Sequence, residues 1–117
     1  LNKNDFLQEK KTRDLTRFVK LNPPYSITVR TLQETKLNIS KSENETITEI
    51  INQIAPGGEE FTFEFTSIIF FEFWSNNHVQ VLLNDISIDD SLTDDDMAIR
   101  GSYEAETAQL YLGFYRH

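Results

Sequence analysis

The sequence predicts an α+β domain, one short helix packed on a mainly antiparallel sheet, and two observations carry that prediction. One is the stretch Thr46–Pro56, which holds the strong helix signal of the chain. The other is a set of short segments in which apolar and polar residues alternate, the period-two pattern of half-buried strands. In the helix segment Thr46 stands three residues before Glu49, the spacing of a capping box, in which hydroxyl and carboxylate each satisfy a backbone N–H of the first turn. Ile47, Ile50, Ile51 and Ile54 recur at helical spacing and make one apolar stripe. Pro56 disfavours helix at Ala55, and Gly57-Gly58 lets the chain turn away. A helix this short is unstable alone in water, so a broad apolar sheet is expected beneath it.

The elements follow in order. Residues 1–22 are polar and mixed in charge, with Phe6, Leu7, Leu15, Phe18 and Val19 as their large apolar residues. Two readings stay open for this N-terminal arm: a mobile segment docked at one or two aromatics, or a helix over 6–20 capped by Asp5. Pro23-Pro24 closes it, because proline cannot continue a helix. Residues 23–117 are the domain proper. A hairpin is expected over 25–40, with Ile27, Val29 and Thr31 on one strand, Leu37 and Ile39 on the next, and Gln33-Glu34 at the turn. A polar loop, 41–45, leads into the helix. Phe61, Phe63 and Phe65 then alternate with Thr62, Glu64 and Thr66, and Ile68–Trp74 is apolar on both faces apart from Glu72. An unbroken strand over 60–74 would be unusually long, so a break is expected near Thr66-Ser67. Ser75–His78 has turn chemistry and Val79–Leu83 is a strand. Residues 84–102 read as a long acidic connection anchored by Ile88, Leu92, Met97 and Ile99. The last strand, Ala108–Tyr115, places Leu110, Leu112 and Phe114 on one face and Tyr111, Gly113 and Tyr115 on the other.

Hairpin, helix, strand, acidic connection and final strand is the order of a β-grasp, and over residues 26–115 it is similar to ubiquitin. Local motifs narrow the likeness. The expected helix opens Thr46-Ile47-Thr48-Glu49-Ile50, a Phe61-Thr62-Phe63 strand follows it, and an acidic step reads Asp89-Asp90-Ser91-Leu92-Thr93. In these the chain resembles the small Sin3-associated polypeptide family, ubiquitin-like subunits of nuclear RNA-processing and histone-deacetylase assemblies. The resemblance implies a ubiquitin-like β-grasp with an extra strand or hairpin inserted after the helix. It also implies an intracellular, nuclear scaffold subunit that binds a peptide segment of larger partners. In the ubiquitin-like alignment Leu82 falls where ubiquitin shows an exposed aliphatic residue, with Tyr111 and Gly113 beside it.

Composition narrows the function classes. At 117 residues the chain is one domain, able to bury roughly two thirds of its unfolded surface. It has no cysteine, hence no disulfide, thiol nucleophile or thiolate metal site, which fits an intracellular protein. It begins at Leu1 and is expected to be a fragment or a processed chain. No apolar run reaches membrane-spanning length and no signal peptide is visible, so no membrane partner is expected. The net charge of −8 is uneven: residues 1–20 hold six cations and three carboxylates, which leaves the remainder at −11. An acidic body argues against direct nucleic-acid contact, which needs clustered Lys and Arg, and suits a basic protein partner. Asn38-Ile39-Ser40 and Asn44-Glu45-Thr46 match the glycosylation triplet, a pattern that chance supplies often.

No catalytic chemistry is expected. The histidines are His78, in a turn segment, and His117, at the end, and neither adjoins a nucleophile motif. No Gly-rich phosphate loop exists. The acidic run Asp85, Asp89, Asp90, Asp94, Asp95 and Asp96 lacks the Gly and the terminal Glu that a calcium loop needs at their spacings, so neither metal nor cofactor is expected. The chain ends Tyr115-Arg116-His117, without the Gly-Gly tail of a conjugated modifier.

An apolar surplus remains in Ile68–Trp74. One helix covers only one face of a sheet, so the second face needs the N-terminal arm, a partner, or both. Ile69, Phe71 and Phe73 are assigned to the core, whereas Phe70 and Trp74 line a partner groove. Glu72 marks that second face as meeting water, because a lone buried carboxylate is costly. The expected partner-binding residues are Ile68, Phe70, Trp74, Leu82 and Tyr111. The expected function is a non-enzymatic protein–protein interaction module taking a basic or peptide-like segment. Two alternatives stand beside it. One is a ubiquitin-like recruitment domain of a larger protein acting through Leu82. The other is a small acidic immunity or antitoxin protein masking a basic toxin surface.

Overall fold

The computed structural model describes residues 13–74, 76–88 and 98–115. Among them the chain forms ten strands: β1 Arg13–Phe18, β2 Tyr25–Thr31, β3 Thr35–Glu43, β4 Thr46–Ala55, β5 Glu60–Phe65, β6 Ile68–Phe73, β7 Val79–Leu83, β8 Ile86–Ser87, β9 Ala98–Glu104 and β10 Gln109–Tyr115. One turn of 3-10 helix, Asn76–His78, precedes β7. The strands make two antiparallel sheets, one in the order β1-β10-β9-β6-β3-β4 and the other β5-β2-β7-β8. A single apolar core lies between them. This corrects the α+β expectation: no β-grasp helix exists among the described residues, and the ubiquitin-like topology falls with it.

The segment expected as the helix, Thr46–Pro56, is β4. Thr46, Ile47, Thr48, Ile50, Ile51 and Ile54 are β-branched, and such side chains lose rotamer freedom in a helix but fit a pleated surface. A two-residue turn at Asn44-Glu45, with φ of 52° and 65°, closes Glu43 on Thr46 in the type I′ manner that matches strand twist. β4 therefore pairs with β3 along its whole length. The isoleucine stripe is split: Ile50 and Ile51 pack against the core, whereas Ile47 and Ile54 are 68% and 55% exposed. Pro56 ends the strand, and its carbonyl accepts the Thr31 hydroxyl at 2.6 Å.

The hairpin expected over 25–40 is also corrected. β2 and β3 exist near the expected places but belong to different sheets. Residues 32–34 carry the chain across, and the His78 carbonyl accepts the Leu32 N–H at 2.7 Å to hold the crossing. The predicted break at Thr66-Ser67 is a second crossing, from β5 in one sheet to β6 in the other. The acidic connection is shorter than expected. Asn84-Asp85, with φ of 49° and 66°, forms another two-residue turn into β8, and β9 begins at Ala98. Ile88 and Ile99 are buried as anchors. Leu92, Met97 and the acidic run 89–96 lie outside the described residues. Within the expected arm, residues 13–18 are an edge strand paired to β10, which excludes a helix there, and residues 1–12 lie outside the described residues.

β6 is interior to the six-stranded sheet, between β9 and β3. Its inward side chains Ile69, Phe71 and Phe73 are buried, and Phe71 and Phe73 stack at 5.6 Å between ring centroids. Opposite Phe71 stands Gly101, where a Cβ would come within 2.4 Å of the Phe71 ring. The glycine is thus the space the ring occupies. From the other sheet come Ile27, Val29, Val81 and Leu83. Tyr103 sits edge-on to Phe65, and its hydroxyl donates to the Val19 carbonyl beyond β1. Burial pushes the Tyr103 hydroxyl above its ordinary pKa, outweighing the opposite effect of a backbone hydrogen bond from Leu21.

Candidate functional site

The register of the six-stranded sheet sorts side chains into an inner and an outer face, because successive residues of a strand point to opposite sides. Where Ile69, Phe71 and Phe73 point in, Ile68, Phe70 and Glu72 point out. Two outer rows cross the sheet. Gly113, Arg100, Glu72 and Asn38 are paired in one, on β10, β9, β6 and β3. Tyr111, Ser102, Phe70 and Ser40 are paired in the next. Together with Ile47 of β4 these two rows line a groove of about 730 Å³.

The groove combines two chemistries. Phe70, Tyr111 and Ile47 supply apolar surface, and Phe70 is 36% exposed while its neighbour Phe71 is 2% exposed. Between them stand hydrogen-bonding groups: Asn38, Ser40, Ser102 and the ion pair of Glu72 with Arg100 at 3.3 Å. Glu72 is half-buried, and Arg100 opposite it supplies the positive charge that a carboxylate among aromatics requires. The Tyr111 hydroxyl donates to the Gln109 side chain, which holds the ring along its strand. Such a surface can hold a chain molecule by apolar contact and by hydrogen bonds together. His78 lies away from it, with Nδ1 hydrogen-bonded to the Glu34 carbonyl at 3.0 Å. Among the described residues no cluster of three or more His, Asp or Glu is placed to hold a metal. No helix among them is long and apolar enough to cross a membrane.

The five sequence-derived partner residues are not all in one place. Phe70 and Tyr111 line the groove. Ile68 lies on the same outer face one row further along, opposite Ser42 and Glu104, and is half-buried. Trp74 follows the end of β6 and is exposed. Leu82 belongs to β7 in the other sheet, where it pairs with Thr28 and Ser87 on that sheet's outer face. It is therefore on the opposite side of the molecule. Asn38, of the first glycosylation triplet, is part of the groove, and Asn44, of the second, forms the β3–β4 turn.

Sequence reasoning missed Ile47, Arg100, Ser102, Asn38 and Ser40. Ile47 belongs to the stripe whose helical spacing predicts a buried face, whereas in β4 it faces outward. Arg100 falls in the predicted acidic connection, and only the β6–β9 register sets it opposite Glu72. Comparison with protein-family models, with curated proteins and with solved structures finds no match.

Proposed function

We propose that this protein is a non-enzymatic interaction module that binds an extended, basic peptide segment of a partner protein along the outer groove of the six-stranded sheet. The observation that carries this is the open apolar surface of Phe70, Tyr111 and Ile47 on a sheet face turned away from the core. Phe70 and Ile47 are exposed there, at 36% and 68%, and aromatic anchors in a pocket dominate the energy of peptide recognition. Asn38, Ser40 and Ser102 offer donors and acceptors to the backbone of an extended chain. The net charge of −8 favours a basic segment and steers its approach. The implied nuclear assembly rested on the likeness to a β-grasp family, and the two-sheet fold lends it no support.

Selection from a random peptide library tests the proposal. Wild-type protein should enrich peptides that combine basic and apolar residues. Those peptides should lose the Phe70→Ala variant while it still melts cooperatively, and their binding should weaken as salt screens the exposed charges. Peptides that bind Phe70→Ala as well as wild type would place the site elsewhere.

A further inference from the structure

We propose that β4 is a homodimerisation edge, pairing antiparallel with β4 of a second copy so that two six-stranded sheets join into one. β4 is the last strand of its sheet, and among the described residues only β3 pairs with it. Seven of its ten residues are exposed, so the edge stands open. An open edge presents unpaired N–H and C=O groups, and proteins that stay monomeric guard such edges with Lys, Pro, inward charges or very short strands. Of the other edges, β5 carries two exposed carboxylates, Glu60 and Glu64, and β8 is only two residues long. β4 has neither Lys nor Pro, and its one charge is Glu49.

What selects a second copy over a foreign strand is the symmetry of β4 itself. A two-fold axis perpendicular to a sheet keeps each side chain on its own face, so paired residues must share a face. In a regular strand positions 47 and 54 would lie on opposite faces. The register of β4 on β3 shifts between Ile39 and Ser40, a β-bulge that places one extra residue in β4. Ile54, Asn52, Glu49 and Ile47 are consequently paired to Lys36, Asn38, Ser40 and Ser42, which all lie on the outer face. A bulge can guard an edge by twisting it; this one makes the two halves of the strand equivalent. About an axis between Ile50 and Ile51, Ile47 comes opposite Ile54 of the other copy, twice. Thr48 meets Gln53, and Glu49 meets Asn52, so no like charges face each other. Ile47 and Ile54, the two exposed isoleucines of this strand, then cover one another. The inference is independent of what the groove binds, although Ile47 lines that groove and pairing would set two grooves side by side.

Cysteine cross-linking tests it cleanly because the chain has no cysteine of its own. Paired antiparallel residues have Cα atoms roughly 4.5–5.5 Å apart, within the span of a disulfide. Positions 47 and 54 of one strand are more than about 20 Å apart and cannot close on themselves. Under mild oxidation the full chain with Ile47→Cys and Ile54→Cys together should form a covalent dimer, at least about tenfold more than either single variant. By light scattering the unmodified chain should have twice its 13.6 kDa mass. Ile47→Lys with Ile54→Lys sets like charges across both pairs and should return it to that single mass. Ile47→Lys with Ile54→Glu sets opposite charges across them and should keep the dimer. A monomeric native chain, a dimer indifferent to the paired lysines, or single cysteines that cross-link as well as the pair would overturn the proposal. If the lysine variants fail to melt cooperatively, the cysteine pair decides.

Discussion

The two sheets turn different outer faces to solvent. On the four-stranded sheet the polar side chains satisfy one another: Thr28 and Thr62 hydroxyls meet at 3.0 Å, and Arg30 donates to Glu60 at 2.6 Å and reaches Gln80 at 3.5 Å. Leu82 is an aliphatic residue within that ladder. On the six-stranded sheet Phe70, Tyr111 and Ile47 stand around a groove with one ion pair in it. Both faces alternate with the same core, so folding alone does not require the difference. A self-satisfied ladder is a finished surface, whereas exposed aromatics flanked by polar groups are the composition of a recognition surface.

The largest expected effect separates inside from outside on one strand. Phe71→Ala removes a buried ring and should cost about 3–5 kcal/mol in urea unfolding. Phe70→Ala, one residue away on the open face, should cost under about 1 kcal/mol. Equal costs would mean that Phe70 is part of the core and the outer face is a finished surface too.

Binding is the next contrast. Phe70→Ala should weaken a selected peptide by about 2 kcal/mol, the scale of an anchor residue, as read by calorimetric titration. Leu82→Ala, on the opposite face, should leave that affinity within about 0.5 kcal/mol. A loss at Leu82 matching that at Phe70 would move recognition to the four-stranded sheet.

Tyr103 lies beneath both faces and calibrates them. Tyr103→Phe removes the hydrogen bond to Val19 and should cost about 1 kcal/mol near neutral pH, without changing peptide affinity. Because the folded pKa is raised above 10.0, the folded state holds its proton where the unfolded chain releases it. Stability is complete below about pH 10 and falls as pH rises beyond it. Thermal melts of Tyr103→Phe across that range should show a shallower decline; an unchanged slope would assign the alkaline loss to other groups.

The smallest effect belongs to the finished face. Arg30→Ala breaks an exposed ion pair and should change stability by no more than about 1 kcal/mol, with the difference shrinking in high salt. A larger, salt-independent loss would show that the ladder stabilises the sheet rather than merely solvating it.

The expectations that held and those that failed divide along a physical line. β7 begins and ends where Val79–Leu83 was expected, and the inward set of β6 is the alternation read from Ile68–Trp74. Period two survives in these strands because their pairing is regular. β4 misled for a specific reason. Its bulge advances the alternation by one residue, so Ile47, Ile50, Ile51 and Ile54 acquire a spacing that a helix also satisfies. Asn44-Glu45 held the correcting signal, a pair able to take positive φ at both positions, but Glu there is a weak form of the Asn-Gly motif.

By itself, then, the sequence determined which residues face inward along regular strands, where the chain must break at Thr66-Ser67, and the acidic charge of the whole. These follow from local sterics, alternation and composition, which each segment carries alone. Only the tertiary structure decided which strand belongs to which sheet. Val29 and Ile39 look alike as strand residues yet lie in different sheets, because the assignment depends on partners distant in the chain: Phe61 and Val81 for one, Phe71 for the other. The groove is of the same kind. Phe70, Tyr111, Ile47 and Arg100 come from four segments, and what brings them to one face is register, a property of paired strands that no single segment holds.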